Sequence, residues 1–328
     1  MGRLYPAGAA ILGSLHRAGT QEQPQPQRHR KRQWPAAGKR QGKQHRLGSP
    51  GTNPAALTLH TPVAIQTHPV RKEPFCPCAG ASAYNGPVSF TVRAITLDLD
   101  DTLWPFAPIG ARIDQVLHDW MLEHSPATAA MYPVAAMREL RERSFRDNPH
   151  LHHDLSALRR LTLAEALEAS GAPLELLEPA YEAFYAARNQ VECYPDAIDA
   201  LARIAARVPV AAVTNGNADL ERIGLMEHFA FQLGSREHGM AKPHASIFHA
   251  ACQRLGCGHG EVLHVGDHVE MDVAGAARAG LRSCWINRTG ETWTHPELRP
   301  DLEFDTMTAL ADWLDAHLAD RPSSGNPA

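Results

Sequence analysis

The chain has 328 residues, of which 44% are hydrophobic, and a formal net charge of −4. That length allows one large domain or two ordinary ones, with enough apolar side chains for a substantial core. The six cysteines form no CxxC pair and no apolar run reaches about 18 residues, so we expect a cytoplasmic protein with reduced thiols and no membrane-spanning segment.

We predict that residues 1–92 are a disordered, basic, low-complexity segment. Residues 1–93 hold 13 Lys and Arg but only two acidic residues, whereas the rest of the chain carries 19 basic and 34 acidic side chains. The segment offers too little apolar surface to offset the entropy lost on folding. The alternatives are a transit peptide, a signal sequence, a nucleic-acid-binding arm, and a native start further along, at Val88 or Val92. Only this basic segment favours nucleic-acid binding, so we expect no nucleic-acid partner.

The folded pattern begins with a short apolar run at 94–99, which predicts a buried strand. Residues 105–190 then contain four segments with apolar side chains three or four positions apart, which predicts helices without an intervening strand. From 191 to 320 strands and helices alternate. The predicted strands are "VPVAAVTN", "FQLGS", "EVLHVGD" and "LRSCWIN", and "ADLERIGLMEHF" is among the predicted helices.

This order of elements predicts an α/β protein with a doubly wound parallel sheet. The sheet and its helices would comprise residues 93–104 and 191–320. The helical block at 105–190 would be inserted after the first strand as a cap, and residues 321–328 would form a disordered tail. Ligands of such sheets bind beyond the carboxyl ends of the strands, so the residues there are candidates for a site.

Polar side chains follow three of the predicted strands, and a lysine precedes Pro243. The candidates are Asp98, Asp100, Thr102, Thr214, Asn215, Lys242, Asp267 and Asp272. Several have simpler explanations: Thr102 and Asp272 could cap helices, Asn215 could belong to a plain turn, and Lys242 could lie on the surface. Their order along the chain favours a common site.

Asp98, Asp100 and Asp101 lie so close together that we expect a cation among them. Oxygen ligands suit Mg²⁺, and we predict the side chains of Asp98 and Asp267 and the backbone carbonyl of Asp100 as its ligands. Strand alternation would turn Asp98 and Asp100 to one side and Asp101 to the other. We therefore interpret Asp101 as a solvent-facing or capping residue.

The same side chains have the chemistry to hydrolyse a phosphate ester. Asp98 could attack phosphorus, and Asp100 could protonate the leaving group and then activate water. Thr214, Asn215 and Lys242 could bind the phosphoryl oxygens, which carry dispersed negative charge. Asp272 could hold Lys242 or a metal-bound water.

The fragments "DLDDT", "VTNG", "KP" and "GDHVEMD" resemble the four motifs of the haloacid dehalogenase (HAD) superfamily. The resemblance covers about residues 93–320 and implies a Rossmann-like core, with an insert similar to the helical cap of the first subfamily. It implies a nucleophile at Asp98, a general acid/base at Asp100, phosphate-binding residues at Thr214 and Lys242, a metal ligand at Asp267 and a supporting acid at Asp272. Met271 departs from the pattern, because many members carry Asn there.

A narrower resemblance is to bacterial phosphatases of FMN and of the riboflavin precursor 5-amino-6-(5-phosphoribitylamino)uracil. The stretches "TNGN" and "HGMAKP" carry it. It implies a small phosphorylated metabolite as partner, with phosphoglycolate or a sugar phosphate as the alternative. Phosphomutase, 2-haloacid dehalogenase and non-catalytic binding protein are further alternatives. Dehalogenases of the superfamily lack an acid at the position of Asp100. We expect a monomer or a homodimer.

The predicted cap is expected to select the substrate. Its stretch at 143–160 is rich in Arg and His, and we interpret most of these side chains as a solvated helix face. The aromatic residues Trp104, Phe106 and Trp120 could stack on a flavin ring, but core packing is the preferred interpretation.

Overall fold

The computed structural model describes residues 90–295 and 297–319. The predictions for residues 1–89 and for the tail at 321–328 lie outside the described residues. Val92 is buried, and the ring of Phe90 lies 6.2 Å from that of Trp313. The fold therefore begins a few residues before the predicted boundary at 93.

The described residues form one sheet of six parallel strands. These are β1 (Ala94–Leu97), β2 (Val210–Thr214), β3 (Phe231–Gly234), β4 (Val262–Gly266), β5 (Arg282–Ile286) and β6 (Leu302–Phe304). Their order across the sheet is β3-β2-β1-β4-β5-β6, with every neighbouring pair parallel. This order confirms the predicted doubly wound α/β core, since the chain moves outward from β1 in both directions.

The central strands are buried on both faces. Every residue of β1, β2 and β4 is buried, which explains why these strands are continuous runs of mostly apolar residues rather than alternating ones. Ile95 of β1 pairs with Val210 on one side and Leu263 on the other. Because β2, β1 and β4 are neighbours, the residues at their carboxyl ends meet at one edge of the sheet.

Between β1 and β2 the described chain is helical and contains no strand, as predicted. The helices there are α1 (Phe106–His124), α2 (Pro126–Met131), α3 (Val134–Asp147), α4 (Leu155–Ala169) and α5 (Leu177–Arg188), followed by α6 (Ala197–Ala205). Ile113 on α1 and Phe184 on α5 belong to the same apolar cluster as Leu97 of β1. The helical insert thus packs continuously with the sheet.

The remaining helices follow β2, β3, β4 and β6. They are α7 (Leu220–Ile223), α8 (Ser235–His238), α9 (Ala245–Leu255), α10 (Gly275–Arg278) and α11 (Met307–Ala319), with a π-helical segment at Val269–Ala274. Among the helices described, none combines the length and the apolar character needed to cross a membrane.

The structure differs from the sequence predictions at three elements. β1 ends at Leu97, two residues early, because the chain turns at the aspartates. The single helix predicted over "ADLERIGLMEHF" is interrupted at Gly224, whose φ of 85° lies in the left-handed region and ends α7. The edge strand β6 was not predicted, since three residues are too few to show a period.

Candidate active site

Three strand ends converge on one cleft. Asp98 follows β1, and its backbone N–H donates to the carbonyl of Val265 on β4 at 2.9 Å. Thr214 ends β2 and Asp267 follows β4. All three residues line this cleft. Its lining comprises Asp98, Asp100, Asp101, Thr214, Asn215, Gly216, Lys242, Asp267, His268, Met271 and Asp272.

Lys242 lies between two of the aspartates rather than on the surface. Its Nζ is 2.7 Å from Oδ1 of Asp98 and 2.6 Å from Oδ1 of Asp272, and only 3% of the residue is exposed. Burial lowers the pKa of Lys242, but the charges of Asp272 and Asp98 more than offset this and raise its pKa. The ammonium group is therefore held in its charged form against the predicted nucleophile.

Asn215 fixes the backbone on which Lys242 is carried. Its Nδ2 donates to the carbonyl of Lys242 at 2.8 Å, and the N–H of Lys242 donates to Oδ1 of Asn215 at 2.7 Å. The Asn215 side chain thus clamps a loop from elsewhere in the chain onto the end of β2. A phosphate contact from Asn215 stays a prediction.

Thr214 presents a hydroxyl group at the cleft. The N–H of Gly216 donates to its Oγ1 at 2.9 Å, so the hydroxyl hydrogen remains available for a second partner. The residue is 1% exposed overall. This geometry suits the predicted role of a donor to a phosphoryl oxygen.

Asp272 is a buried hub of hydrogen bonds. Its Oδ1 accepts from Lys242 and lies 3.1 Å from Nε2 of His264, and its Oδ2 accepts from the N–H of His268 at 3.0 Å. Burial raises the pKa of Asp272, but Lys242 and His264 outweigh that effect and hold the pKa below its usual range. Both oxygens of Asp272 are engaged, and one of them holds Lys242; its role as a supporting acid stays a prediction.

His264, which was not among the predicted site residues, extends this network into the sheet. His264 is a residue of β4, and only 1% of it is exposed. Its Nδ1 lies 2.9 Å from Oγ1 of Thr96 on β1. Burial lowers the pKa of His264, although Asp272 opposes the shift. The available signal was a lone polar residue inside the apolar run "VLHVG".

Thr102 contacts Asp267 and does not cap a helix. Its Oγ1 donates to Oδ1 of Asp267 at 3.1 Å, while α1 begins only after Pro105. The Asp267 backbone is fixed separately, because Nε1 of Trp285 donates to its carbonyl at 2.7 Å. Burial and the charges of Asp272 and Asp98 raise the pKa of Asp267 well above its usual value.

The carboxylates of the cleft fit a divalent cation. Oxygens of Asp98, Asp267 and Asp272 lie within 4.8 Å of one another. Burial raises the pKa of Asp98 to about 7, with Asp272 and Asp100 adding to the rise and Lys242 opposing it. A cation would relieve this repulsion between buried acids, and carboxylate oxygens are the donors that Mg²⁺ prefers.

Asp100 is held on both oxygens. Nε1 of Trp104 donates to Oδ1 at 2.8 Å, and Nη2 of Arg188 donates to Oδ2 at 2.6 Å. Trp104 is fully buried, which confirms its interpretation as a core residue. Arg188, which reaches the cleft from the end of α5, was not among the predicted site residues.

The prediction that Asp101 faces away from Asp98 and Asp100 was wrong. Strand alternation does not extend to Asp101, because β1 ends at Leu97 and Asp101 has a left-handed φ of 57°. Asp101 lines the same cleft. Its Oδ1 accepts from the N–H of Phe106 at 2.8 Å, so the predicted capping contact to the start of α1 is present.

The basic residues of the insert are engaged in different ways. Arg143 and Arg160 form ion pairs at the surface with Glu165 and Glu178. Arg159 is buried, with its guanidinium 4.4 Å from the centroid of the Phe184 ring.

The lining of the cleft also includes His268 and Met271, which were not predicted to form the site.

The comparisons with known proteins agree with this geometry. Residues 92–280 match the haloacid dehalogenase-like hydrolases. The 5-amino-6-(5-phospho-D-ribitylamino)uracil phosphatase YigB of Escherichia coli (strain K12) is 30% identical over 231 residues, which cover 68% of this chain and 96% of that protein. The phosphoserine phosphatase of Thermus thermophilus is 32% identical over 243 residues, covering 64% and 94%. A solved 2-haloacid dehalogenase from Pseudomonas syringae pv. Tomato DC3000 has a TM-score of 0.65 and 35% identity, covering 69% of this chain and all of that one.

The chain therefore belongs to the haloacid dehalogenase-like hydrolases. The superfamily resemblance and the Rossmann-like core with a helical cap are confirmed. The family match and the phosphatases among the relatives also confirm the prediction of an enzyme, a phosphoric monoester hydrolase.

Proposed function

We propose that the protein is a Mg²⁺-dependent phosphatase that works through an aspartyl-phosphate on Asp98. The observation that carries the proposal is the buried Lys242 bound between Asp98 and Asp272 beside a second acid, Asp100. A carboxylate nucleophile, a fixed positive charge and a separate acid are the groups that transfer of a phosphoryl group to the enzyme requires.

Each side chain has a distinct part in the first step. Asp98 forms a bond to phosphorus while the ester P–O bond breaks, and the departing oxygen takes a proton from Asp100. Lys242 and the hydroxyl of Thr214 bind the phosphoryl oxygens. Asp98, Asp267 and the backbone carbonyl of Asp100 would hold Mg²⁺, which when bound supplies further positive charge to those oxygens.

The second step frees the enzyme. Asp100, now a carboxylate, takes a proton from water, whose oxygen attacks phosphorus. The bond to Asp98 breaks, and inorganic phosphate leaves. Asp272 keeps Lys242 in place through both steps, because their 2.6 Å hydrogen bond is buried.

We propose FMN or 5-amino-6-(5-phosphoribitylamino)uracil as the substrate. The stretches "TNGN" and "HGMAKP" support this assignment, as does the similarity to YigB over nearly the whole of that protein. Phosphoglycolate and sugar phosphates are the alternatives within the same chemistry. A cytoplasmic location and a monomeric or homodimeric state stay part of the proposal. The four cysteines in the described residues are free thiols, which is compatible with that location.

Dehalogenation is the second candidate function. The solved 2-haloacid dehalogenase with 35% identity favours it. Halide, however, leaves without a proton, so a dehalogenase has no use for an acid at Asp100. Here that carboxylate is held by Trp104 and Arg188 at the cleft, which favours the phosphatase.

The test is product release from a substrate panel with Mg²⁺. The panel contains FMN, the ribitylaminouracil phosphate, phosphoserine, phosphoglycolate, a sugar phosphate and 2-chloropropionate, with the Asp98→Asn protein as the blank. We expect phosphate release that is fastest with the two flavin-related esters. Chloride release without phosphate release would establish the dehalogenase instead, and similar weak rates on all esters would remove the substrate assignment.

A further inference from the structure

Arg188 is a buried cation that the proposed chemistry does not use. It is the last residue of α5 and is fully buried. Burying a guanidinium group is costly unless it is paired and hydrogen-bonded. Its pairing partner is Asp100, the acid of the proposed function, through the 2.6 Å contact to Oδ2.

Asn217, in the loop after β2, holds the guanidinium group of Arg188. Its Oδ1 accepts from Nε of Arg188 at 3.1 Å, and the residue is fully buried. Asn217 is the last residue of "TNGN", one of the two stretches that resemble the FMN and ribitylaminouracil phosphatases. The chain of contacts therefore runs from the loop after β2, through Arg188, to Asp100.

The end of α5 is fastened to the same loop by a second contact. Oδ1 of Asn189 accepts from the N–H of Asp219 at 2.7 Å, and Nδ2 of Asn189 donates to the carbonyl of Tyr185 on α5. The backbone that carries Arg188 is thus fixed on the core. A guanidinium group held in this way has little freedom to swing away from Asp100.

The carboxylate of Asp100 is bound by residues at both ends of the helical insert. Trp104, just before α1, binds Oδ1, and Arg188, at the end of α5, binds Oδ2. Each carboxylate oxygen has two acceptor sites, so one site on each oxygen remains for a proton in transit. The two contacts define the plane of the carboxyl group, and therefore the direction in which its free sites point.

We propose that Arg188, oriented by Asn217, is a positioning residue that aims the carboxyl group of Asp100 at the leaving-group oxygen. The inference rests on the proposed function, because it assumes that Asp100 is the acid. It goes further by making proton transfer depend on the docking of α5 against the loop after β2. An insert residue outside the four sequence motifs would then control the first chemical step.

The test compares two esters of similar size with the full-length protein and Mg²⁺. Benzyl phosphate releases a strongly basic alkoxide that needs a proton, whereas 4-nitrophenyl phosphate releases a weakly basic phenolate that does not. The parameter is kcat/KM, which reports the steps up to phosphoryl transfer. The reference variant is Asp100→Asn, and the test variants are Arg188→Lys, Arg188→Gln and Asn217→Ala. The matched control is Arg203→Gln, an exposed arginine on α6 that pairs with Asp312 and Asp315 on α11.

We expect kcat/KM of the Arg188 variants to fall on the order of 10- to 100-fold with benzyl phosphate, and by less than about threefold with 4-nitrophenyl phosphate, because proton transfer contributes to only one reaction. Asp100→Asn should show the same selectivity more strongly, Asn217→Ala more weakly, and Arg203→Gln none. A role in folding or in binding the phosphate would lower both values together.

Two results would overturn the proposal, and they are distinguishable. If Asp100→Asn is selective and the Arg188 variants lose both activities equally or neither, only the role of Arg188 fails. If Asp100→Asn itself shows no selectivity, the acid role in the proposed function fails, and the inference fails with it. Should the Arg188 variants not fold, Asn217→Ala decides, because it removes one partner of the guanidinium group and leaves its charge in place.

Discussion

At the residue scale, the cleft buries more carboxyl groups than positively charged groups. Asp98 and Asp272 share the single ammonium group of Lys242, and Asp267 has a hydrogen bond from Thr102. Burial raises the pKa of both acids, but Lys242 and His264 outweigh it at Asp272 and lower its pKa, whereas the pKa of Asp98 is raised to about 7. Identical side chains are thus given different properties by their neighbours.

Asp98→Asn is expected to lower kcat by at least about 10³-fold, because an amide cannot form the aspartyl-phosphate. The fold should persist, since Lys242 keeps its bond to Asp272. Phosphate release and the melting temperature measure the two effects. Asp199→Asn, at an exposed position on α6, is the control and should match the parent. Substantial residual turnover by Asp98→Asn would remove Asp98 as the nucleophile.

At the element scale, the site depends on how closely β4 and the π-helical segment approach. A Cβ on Gly266 would lie 2.3 Å from Cγ of Asp272, so only glycine fits at the end of β4.

A second set of contacts joins the two chain segments that lead into and out of the helical insert. Arg288, after β5, donates to the carbonyl of Thr102 before the insert and to Oδ1 of Asp196 after it.

Gly266→Ala is expected to reduce the free energy of unfolding by about 1–3 kcal/mol, since the new methyl group displaces the buried Asp272. Activity should fall too, because Asp272 positions Lys242. Denaturant unfolding and kcat give the two values. Gly260→Ala is the matched control, as a Cβ there has no heavy atom within 4 Å. Equal stability of the two variants would contradict the close approach.

Asp196→Asn is expected to change the pH dependence of stability. Burial raises the pKa of Asp196, but Arg288 and the N–H of Met307 outweigh this and lower the pKa. An acid with a lowered native pKa stabilises the fold above its unfolded pKa, and that stability is lost as pH falls through the native pKa. The melting temperatures of parent and variant should therefore differ more at about pH 7 than at about pH 3. A constant difference would contradict the linkage, and Asp305→Asn, at an exposed position, is the control.

At the scale of the whole molecule, the doubly wound order brings distant segments of the chain to one edge. β2, β1 and β4 are neighbours in the sheet, so residues from 98 to 272 meet in a single cleft. The helical insert adds Arg188 to this edge from the far end of α5. Acids from two strand ends and one lysine are thereby enclosed together, an arrangement that a bound cation would stabilise.

Mg²⁺ is expected to raise the melting temperature of the full-length protein, because an ion that binds only the native state stabilises it. EDTA should abolish phosphate release, and added Mg²⁺ should restore it. Asp267→Asn should lose the thermal response to Mg²⁺, whereas Asp301→Asn, an acid that binds Arg282 away from the cleft, should keep it. A parent protein that melts at the same temperature with and without Mg²⁺ would contradict the ion site.

Local sequence patterns were sufficient to predict the class of the fold and to select candidate acids for the site. Alternating strands and helices indicate a parallel sheet, and polar residues placed directly after apolar runs mark its carboxyl edge, because both signals are local. Asp98, Asp100 and Asp267 could be chosen on those grounds alone, whereas Lys242 and Asp272 were chosen for their order along the chain and their resemblance to the HAD motifs. Interruptions such as Gly224 and the three-residue strand β6 gave too weak a local signal.

The partners of each acid could be identified only from contacts in the folded structure. The end of β1 at Leu97 turns Asp101 into the cleft, against the alternation expected from the sequence. His264 and Arg188 contact acids that lie eight and 88 positions away along the chain, and such contacts have no sequence period. Side-chain partners depend on distance in space, which the order of residues along the chain does not specify.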